Sequence, residues 1–352
     1  MGTKQILGAA AIIAAFSLAW IPGHAINSDF GFDWLVAKAF MDGVDPYQTL
    51  HDLADHYDLT SVGGAPHPRI PGALVILSPL SVLPFSWTYE AGRILTVASA
   101  VGLVWVFSRI SSLRFTSVVY WLPIVLLVPP FSWVLARGQT DFLIAALIGT
   151  TLLLAEDDRP FAGIPLGIAV TLKLWAWPLA VALILGRRWR TAMTVGVTFT
   201  VLNLIGLASP NVSIAGTLEA LPTVWTFYDN SLSVPGVFGV SPVVTGVVLV
   251  VGLAVWARFG PGWDEMFVMA VPLALLAAPI MWKTYLVALV VPVAWLVKRP
   301  VSIRKTPLPV GDVKTGETVG RIYDVSDDPE PGEVAQTQKT KGRPDQGGSA
   351  GP

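Results

Sequence analysis

The chain has 352 residues, 53% of them hydrophobic and 13% charged, with a formal net charge of −1 and no cysteine. An average soluble domain is about 25% charged, so this balance excludes an ordinary globular domain, and near-neutrality excludes the basic footprint of a nucleic-acid binder. The absence of cysteine excludes disulfides, thiolate catalysis and cysteine–metal sites. Apolar runs approach the ~20 residues that cross a bilayer as helix and lack the alternation of barrel strands. The fold class is therefore an all-α polytopic membrane protein, whose backbone satisfies its hydrogen bonds inside helices.

In chain order, a first helix is predicted over about Gln5–Pro22, with Lys4 holding its start in the cytoplasm. Ile6–Trp20 followed by Gly23 and Ala25 also resembles a signal peptide, but the many spans that follow favour a retained helix. A polar segment, Asn27–Arg69, comes next. Within it, Phe32, Leu35, Val36, Ala39 and Phe40 recur at helical spacing and predict a helix lying on the membrane surface. All four histidines (His24, His51, His56 and His67) fall in this early loop. His51 and His56 miss the i, i+4 spacing, so the group reads as solvated loop histidines and not as metal ligands. Pro71–Leu83, with prolines at 71, 79 and 84, reaches only ~20 Å. That is short of a ~30 Å hydrocarbon core, which predicts a re-entrant or interfacial helix.

Further spans are predicted at about 89–108, 116–136, 140–155, 190–209, 239–257, 265–280 and 284–297. Phe161–Leu185 carries Lys173 in its middle and Pro178 shortly after. A lysine at the bilayer centre costs at least ~2.5 kcal/mol, so this stretch is read as two short helices meeting at Lys173 near the outer surface. That reading places Arg109, Arg114, Arg159, the Arg187-Arg188-Trp189-Arg190 cluster, Arg258 and Lys298-Arg299 inside. It gives about ten spans in a plasma-membrane domain over 1–300. Residues 301–352, rich in Pro, Gly and charge, read as a disordered cytoplasmic tail.

The same topology gathers Asp29, Asp33, Arg69, Arg137, Gln139, Asp141, Lys173, Asp229, Asn230 and Lys283 near the outer boundary. Singly, a lysine or arginine at a helix end snorkels to headgroups, and Asp33 is placed to cap a helix. Together, on the side where basic residues are depleted, they suit a pocket for an anionic headgroup.

Six motifs then carry a family resemblance. Asp29-Phe30-Gly31-Phe32-Asp33-Trp34, continuing to Gly43-Val44-Asp45-Pro46-Tyr47, resembles the first outer loop of glycosyltransferase family 87, in the GT-C superfamily. His67-Pro68-Arg69-Ile70-Pro71 with Ser78-Pro79-Leu80 resembles its Tyr-Pro-Pro segment and short helix, and Arg137-Gly138-Gln139-Thr140-Asp141 its Gly-Gln-x-Asn motif. Ala162-Gly163, Gly167, Lys173 and Pro178 before the basic cluster follow in order, then Asn230-Ser231-Leu232 and Ala278-Pro279-Ile280-Met281-Trp282. Asp141 stands where the family has Asn, His67 where it has Tyr, and Thr284 where it has a histidine.

The resemblance implies a GT-C-type bundle that transfers a sugar, mannose first, from a polyprenyl-phosphate donor to a glycolipid or polysaccharide acceptor at the outer face. Inverting transfer needs a base on the acceptor hydroxyl and positive charge at the leaving phosphate. The resemblance puts the base at Asp29, with Asp33 the alternate. Lys173 and Arg69 are the first candidates for the phosphate, with Lys283 and Arg137 behind them. Gln139, Asp141 and Asn230 are candidates for sugar hydroxyls, and Trp34 and Trp282 for stacking on a sugar face. Asp29, Asp33 and Asp141 are also the carboxylates that would hold a divalent metal; with so many cations at hand, no metal and no tightly bound cofactor is expected. A transporter or flippase is the rival from another class, although no internal repeat of the kind transporters carry is visible. A non-catalytic scaffold is the other, prompted by Thr284.

Overall fold

A computed structural model of the protein describes residues 3–20, 29–59, 67, 69–219, 231–279 and 281–298. The expected tail, the first-helix junction with His24, and both Asp229 and Asn230 lie outside the described residues. Among those described, all regular structure is helical, in agreement with the all-α reading.

The elements are α1 (Thr3–Trp20), α2 (Asp29–Asp42), α3 (Leu50–His56), α4 (Pro71–Leu77) with a 3-10 extension over Ser78–Val82, α5 (Phe85–Ser111), α6 (Phe115–Leu127), α7 (Pro129–Arg137), α8 (Asp141–Glu156), α9 (Ile164–Leu172), α10 (Trp177–Leu185), α11 (Trp189–Leu207), α12 (Val234–Phe238), α13 (Pro242–Ala257), α14 (Trp263–Ala277), a 3-10 segment Lys283–Leu289, and α15 (Val290–Lys298). Two of them, α5 and α11, are long and apolar enough to cross a membrane alone. α6 and α7 qualify as a third, bent span. The membrane assignment also follows from the surface. α13 turns Val243, Val244, Val247, Val248, Val251 and Val255 outward, and α6 exposes Tyr120, Trp121 and Ile124. Soluble monomers rarely expose apolar patches of this extent; lipid tails accept them.

Local chemistry explains where the helices break. The sequence predicted one span over 116–136, but α6 and α7 are bent by 86° between Leu127 and Pro129. Proline lacks a backbone donor and pushes its predecessor out of the helical region, and Val128 accordingly sits at φ −68°, ψ 130°. α7 then stops at Gly138, whose φ of +65° suits the left-handed cap glycine adopts readily. α9 ends at Leu172, and Lys173 is extended (φ −142°, ψ 105°) before a 3-10 turn leads into α10. Pro178 at the start of α10 cannot donate to the Leu174 carbonyl, so one helix cannot run straight through. α14 ends the same way, since Ala278 before Pro279 is extended.

Packing then locks the broken pieces. A Cβ on Gly163 would lie 2.1 Å from the Thr191 carbonyl oxygen, and one on Gly167 2.6 Å from Thr198. Small residues four apart let α9 approach the α11 backbone this closely. α4 is seated on the far half of α11 in the same manner. The Gly72 N–H donates to Asn203 Oδ1 at 3.0 Å, and a Cβ on Gly206 would lie 2.3 Å from the Pro71 carbonyl. α2 is fixed near its middle and just past its C-terminal end, by Trp34 Nε1 donating to the Leu83 carbonyl (3.3 Å) and Asn211 Nδ2 donating to the Val44 carbonyl (2.7 Å).

Candidate active site

The breaks described above converge on one cavity of about 1290 Å³. α2 brings Asp29 and Asp33, the chain before α4 brings His67 and Arg69, and the α7–α8 turn brings Arg137 and Gln139. Lys173 comes from the α9–α10 break, and Trp282, Lys283, Thr284 and Tyr285 from the start of the last 3-10 segment. That segment is pinned by Leu232 N–H donating to the Met281 carbonyl (2.9 Å) and Met281 N–H donating to Ser231 Oγ (2.9 Å). Away from these polar groups the same cavity continues as an apolar limb between α10, α13 and α14, lined by residues including Trp177, Val247, Val250, Ala274 and Ala277.

The two carboxylates of α2 have different surroundings. Asp33 is buried and accepts from Arg69 (Nη2 2.6 Å, Nε 2.7 Å) and from His67 Nε2 (3.0 Å). Burial pushes its carboxyl up, but the Arg69 charge and the His67 bond outweigh that and hold it at about 2. A carboxylate so fully engaged is a weak proton acceptor. Asp33 lies one turn inside α2, so it does not cap the helix as its position suggested. His67, expected to be solvated, is instead the second partner of Asp33. His51, by contrast, is exposed beside Asp55.

Asp29 has no such ion pair among the described residues. Gln139 Nε2 donates to Asp29 Oδ2, and the amide's other end, Gln139 Oε1, is buried without a partner among the described residues. Burial raises the Asp29 carboxyl, an effect only partly offset by the charges of His67, Lys173 and Arg137. A carboxyl raised in this way is a better proton acceptor than Asp33.

Lys173 is paired with Asp141, Nζ to Oδ1 at 2.7 Å, and lies over the Tyr285 ring at 4.2 Å. Asp141 Oδ2 is buried with no partner among the described residues, as is Thr284 Oγ1. Of the residues the sequence singled out, Asp29, Asp33, Arg69, Arg137, Gln139, Lys173, Trp282 and Lys283 line the cavity. Asp141 stands behind Lys173, outside the lining. Trp34 is buried against Phe85 and Tyr57 and does not face the cavity. The described residues hold no group of three His, Cys, Asp or Glu side chains able to bind a metal ion. Sequence reasoning missed Trp133, a cavity-lining aromatic on α7, because a tryptophan near a helix end reads as an interface anchor.

Comparison with known families fixes the class. The family model described as glycosyltransferase family 87 matches residues 70–310. The chain belongs to glycosyltransferase family 87. It is therefore a membrane glycosyltransferase, acting on a sugar donor and an acceptor. No curated protein and no solved structure matches the chain. The family match begins at Ile70 and so includes Arg137, Gln139, Lys173 and Lys283 but not Asp29 or Asp33. For this family 87 enzyme, the place of α2 in the site rests on geometry, since Gln139 and Arg69, one on each side of that boundary, hold the two aspartates in the cavity.

Proposed function

We propose that this family 87 enzyme moves a sugar, mannose in the first instance, from a polyprenyl-phosphate donor to a glycolipid or polysaccharide acceptor at the outer face of the plasma membrane. The polypeptide is read as crossing the bilayer about ten times with its tail in the cytoplasm. Transfer proceeds with inversion and with Asp29 as general base. The observation that carries the reading is a single cavity with two chemistries: a partly buried carboxylate among basic side chains at one end, and an apolar limb between α10, α13 and α14 at the other. A lipid-linked sugar phosphate is the substrate class that presents both faces together.

In the reaction Asp29 accepts the acceptor hydroxyl proton as that oxygen attacks the anomeric carbon. The bond from that carbon to the phosphate oxygen breaks, and its electron pair leaves with the polyprenyl phosphate. The transition state gathers positive charge on the sugar, as in glycoside hydrolysis, and negative charge on the departing phosphate. The basic side chains lining the cavity stabilise that negative charge, so no divalent metal and no bound cofactor is invoked. Gln139 orients both the base and the sugar.

The test is transfer of radiolabelled mannose from polyprenyl-phosphate-mannose in membranes containing the wild type or Asp29→Asn at equal expression. Transfer by the wild type and near-complete loss in Asp29→Asn is the expected result, with an acid limb above the usual carboxylate range. Transfer unaffected by Asp29→Asn would remove Asp29 as base. Silence with both mannosyl and arabinofuranosyl donors would overturn the polyprenyl-phosphate donor.

A further inference from the structure

Four lysine and arginine side chains line the cavity, and they are not equivalent. Arg69 and Lys173 each carry a private counterion, Asp33 at 2.6 Å and Asp141 at 2.7 Å. Arg137 and Lys283 form no ion pair among the described residues. Both stand over one ring instead: the Arg137 guanidinium carbon lies 5.5 Å from the Trp133 ring centre and Lys283 Nζ 5.2 Å from it.

The arrangement is built from two parts of the chain. Trp133 and Arg137 are one turn apart on α7, ahead of the Gly138 cap, and Lys283 opens the 3-10 segment that packs on α7. An aromatic face attracts a cation without neutralising it. Two like charges drawn to one ring, neither in an ion pair among the described residues, concentrate positive potential at the cavity. An anion arriving there meets two cations that have no ion-pair partner among the described residues, whereas at Arg69 or Lys173 it would compete with a buried carboxylate.

We propose that Trp133, Arg137 and Lys283 form the subsite for the phosphate of the lipid-linked donor, with Trp133 the positioning residue. Arg69 and Lys173, the first candidates from sequence, are internal counterions that hold Asp33 and Asp141. This rests on the donor class proposed above and says which groups meet its phosphate. The donor is a phosphodiester with one negative charge, and the departing phosphate monoester carries up to two. Arg137 and Lys283 therefore do more for the leaving group than for the bound donor.

The test uses the full-length protein in nanodiscs of neutral lipid, with dodecyl phosphate as probe and dodecanol as the uncharged control. Arg137→Gln and Lys283→Gln should each weaken dodecyl phosphate binding about 10-fold or more, with dodecanol unaffected. Trp133→Leu should weaken it as well, and Trp133→Phe should restore it. In the transfer assay the Gln variants should lower kcat as well as raise donor KM. Wild-type affinity in the Arg137→Gln/Lys283→Gln double variant would overturn the proposal. So would displacement of the probe by phosphatidylglycerol as readily as by polyprenyl phosphate, which would make the pair a general headgroup anchor. Probe binding needs no sugar transfer. Pair-dependent binding by a protein inert with every lipid-linked sugar donor would support a lipid-phosphate subsite while overturning the donor reading. Active transfer with unchanged KM and kcat in the double variant would do the reverse.

Discussion

Lys173→Met removes one half of an ion pair whose members are both buried, with side chains 8% and 2% exposed. The surviving Asp141 would be left buried with no cation beside it, in a protein interior that solvates carboxylates poorly. Removing one partner of a buried pair costs about 3–5 kcal/mol, and losing the Lys173–Tyr285 ring contact adds about 0.5–2 kcal/mol. At about 1.4 °C per kcal/mol for a chain of 352 residues, the midpoint of thermal unfolding should fall by roughly 5–10 °C. Lys173→Met/Asp141→Asn restores charge balance and should recover more than half of that loss, because the buried charge, not the missing lysine, is the larger penalty. Fluorescence-detected size exclusion of detergent-solubilised protein after heating measures both variants. An unchanged midpoint in Lys173→Met, or a double variant no more stable than the single, would refute the argument.

Asp33 gives a prediction in pH. Its folded-state pKa of about 2 lies below the ordinary 3.8, so the stability it contributes is present above 3.8 and is lost as pH falls through 2. The shift corresponds to about 2 kcal/mol; Asp33→Asn should lower stability at pH 7 and flatten its fall between pH 4 and 2, as read from acid unfolding curves. Thr284→Val removes a buried hydroxyl that has no partner among the described residues. Relief of about 1–3 kcal/mol of unpaired polarity should raise the thermal midpoint, while kcat/KM falls about 10-fold if that hydroxyl meets the sugar; unchanged kcat/KM would show it idle. Gly206→Ala would force a Cβ to within 2.3 Å of the Pro71 carbonyl. Overpacking of this kind costs about 1–3 kcal/mol, measurable as a lower midpoint, and Gly252→Ala, with nothing within 4 Å, should be neutral by the same assay.

Much of the helical pattern was legible because it depends on near neighbours. The α9–α10 break follows from Lys173 and Pro178, and the short α4 from Pro71 and Pro79. The 86° bend escaped notice because a hydropathy window averages across Pro129. The polar residues of the site could be gathered to one side by topology, but their pairing could not be seen. Arg69 and Asp33 are 36 residues apart and Lys173 and Asp141 are 32 apart, so nothing local in the sequence joins them. Read as isolated charges, Lys173 and Arg69 ranked ahead of Lys283 and Arg137; folding pairs the first two with carboxylates. Trp133 was hidden for the same reason, since its ring gains meaning only when Lys283 arrives from the other end of the chain. Gly163 and Gly167 were noticed as motif positions, and their reason is steric, the close approach of α9 to α11.

The seat of α4 on α11 has a consequence for how the protein is made. The amide of Gly72 finds its acceptor on Asn203, a residue 131 positions later. At about 5–20 residues per second of translation, α4 leaves the ribosome on the order of 10 s before its partner exists. Through that interval α4 can pack on α2 and α9 but lacks the α11 surface and the Asn203 acceptor. The cavity is therefore a late product of biogenesis: a nascent chain halted before residue 203 carries both aspartates of α2 but neither the acceptor for Gly72 nor the Lys283 side of the cavity wall.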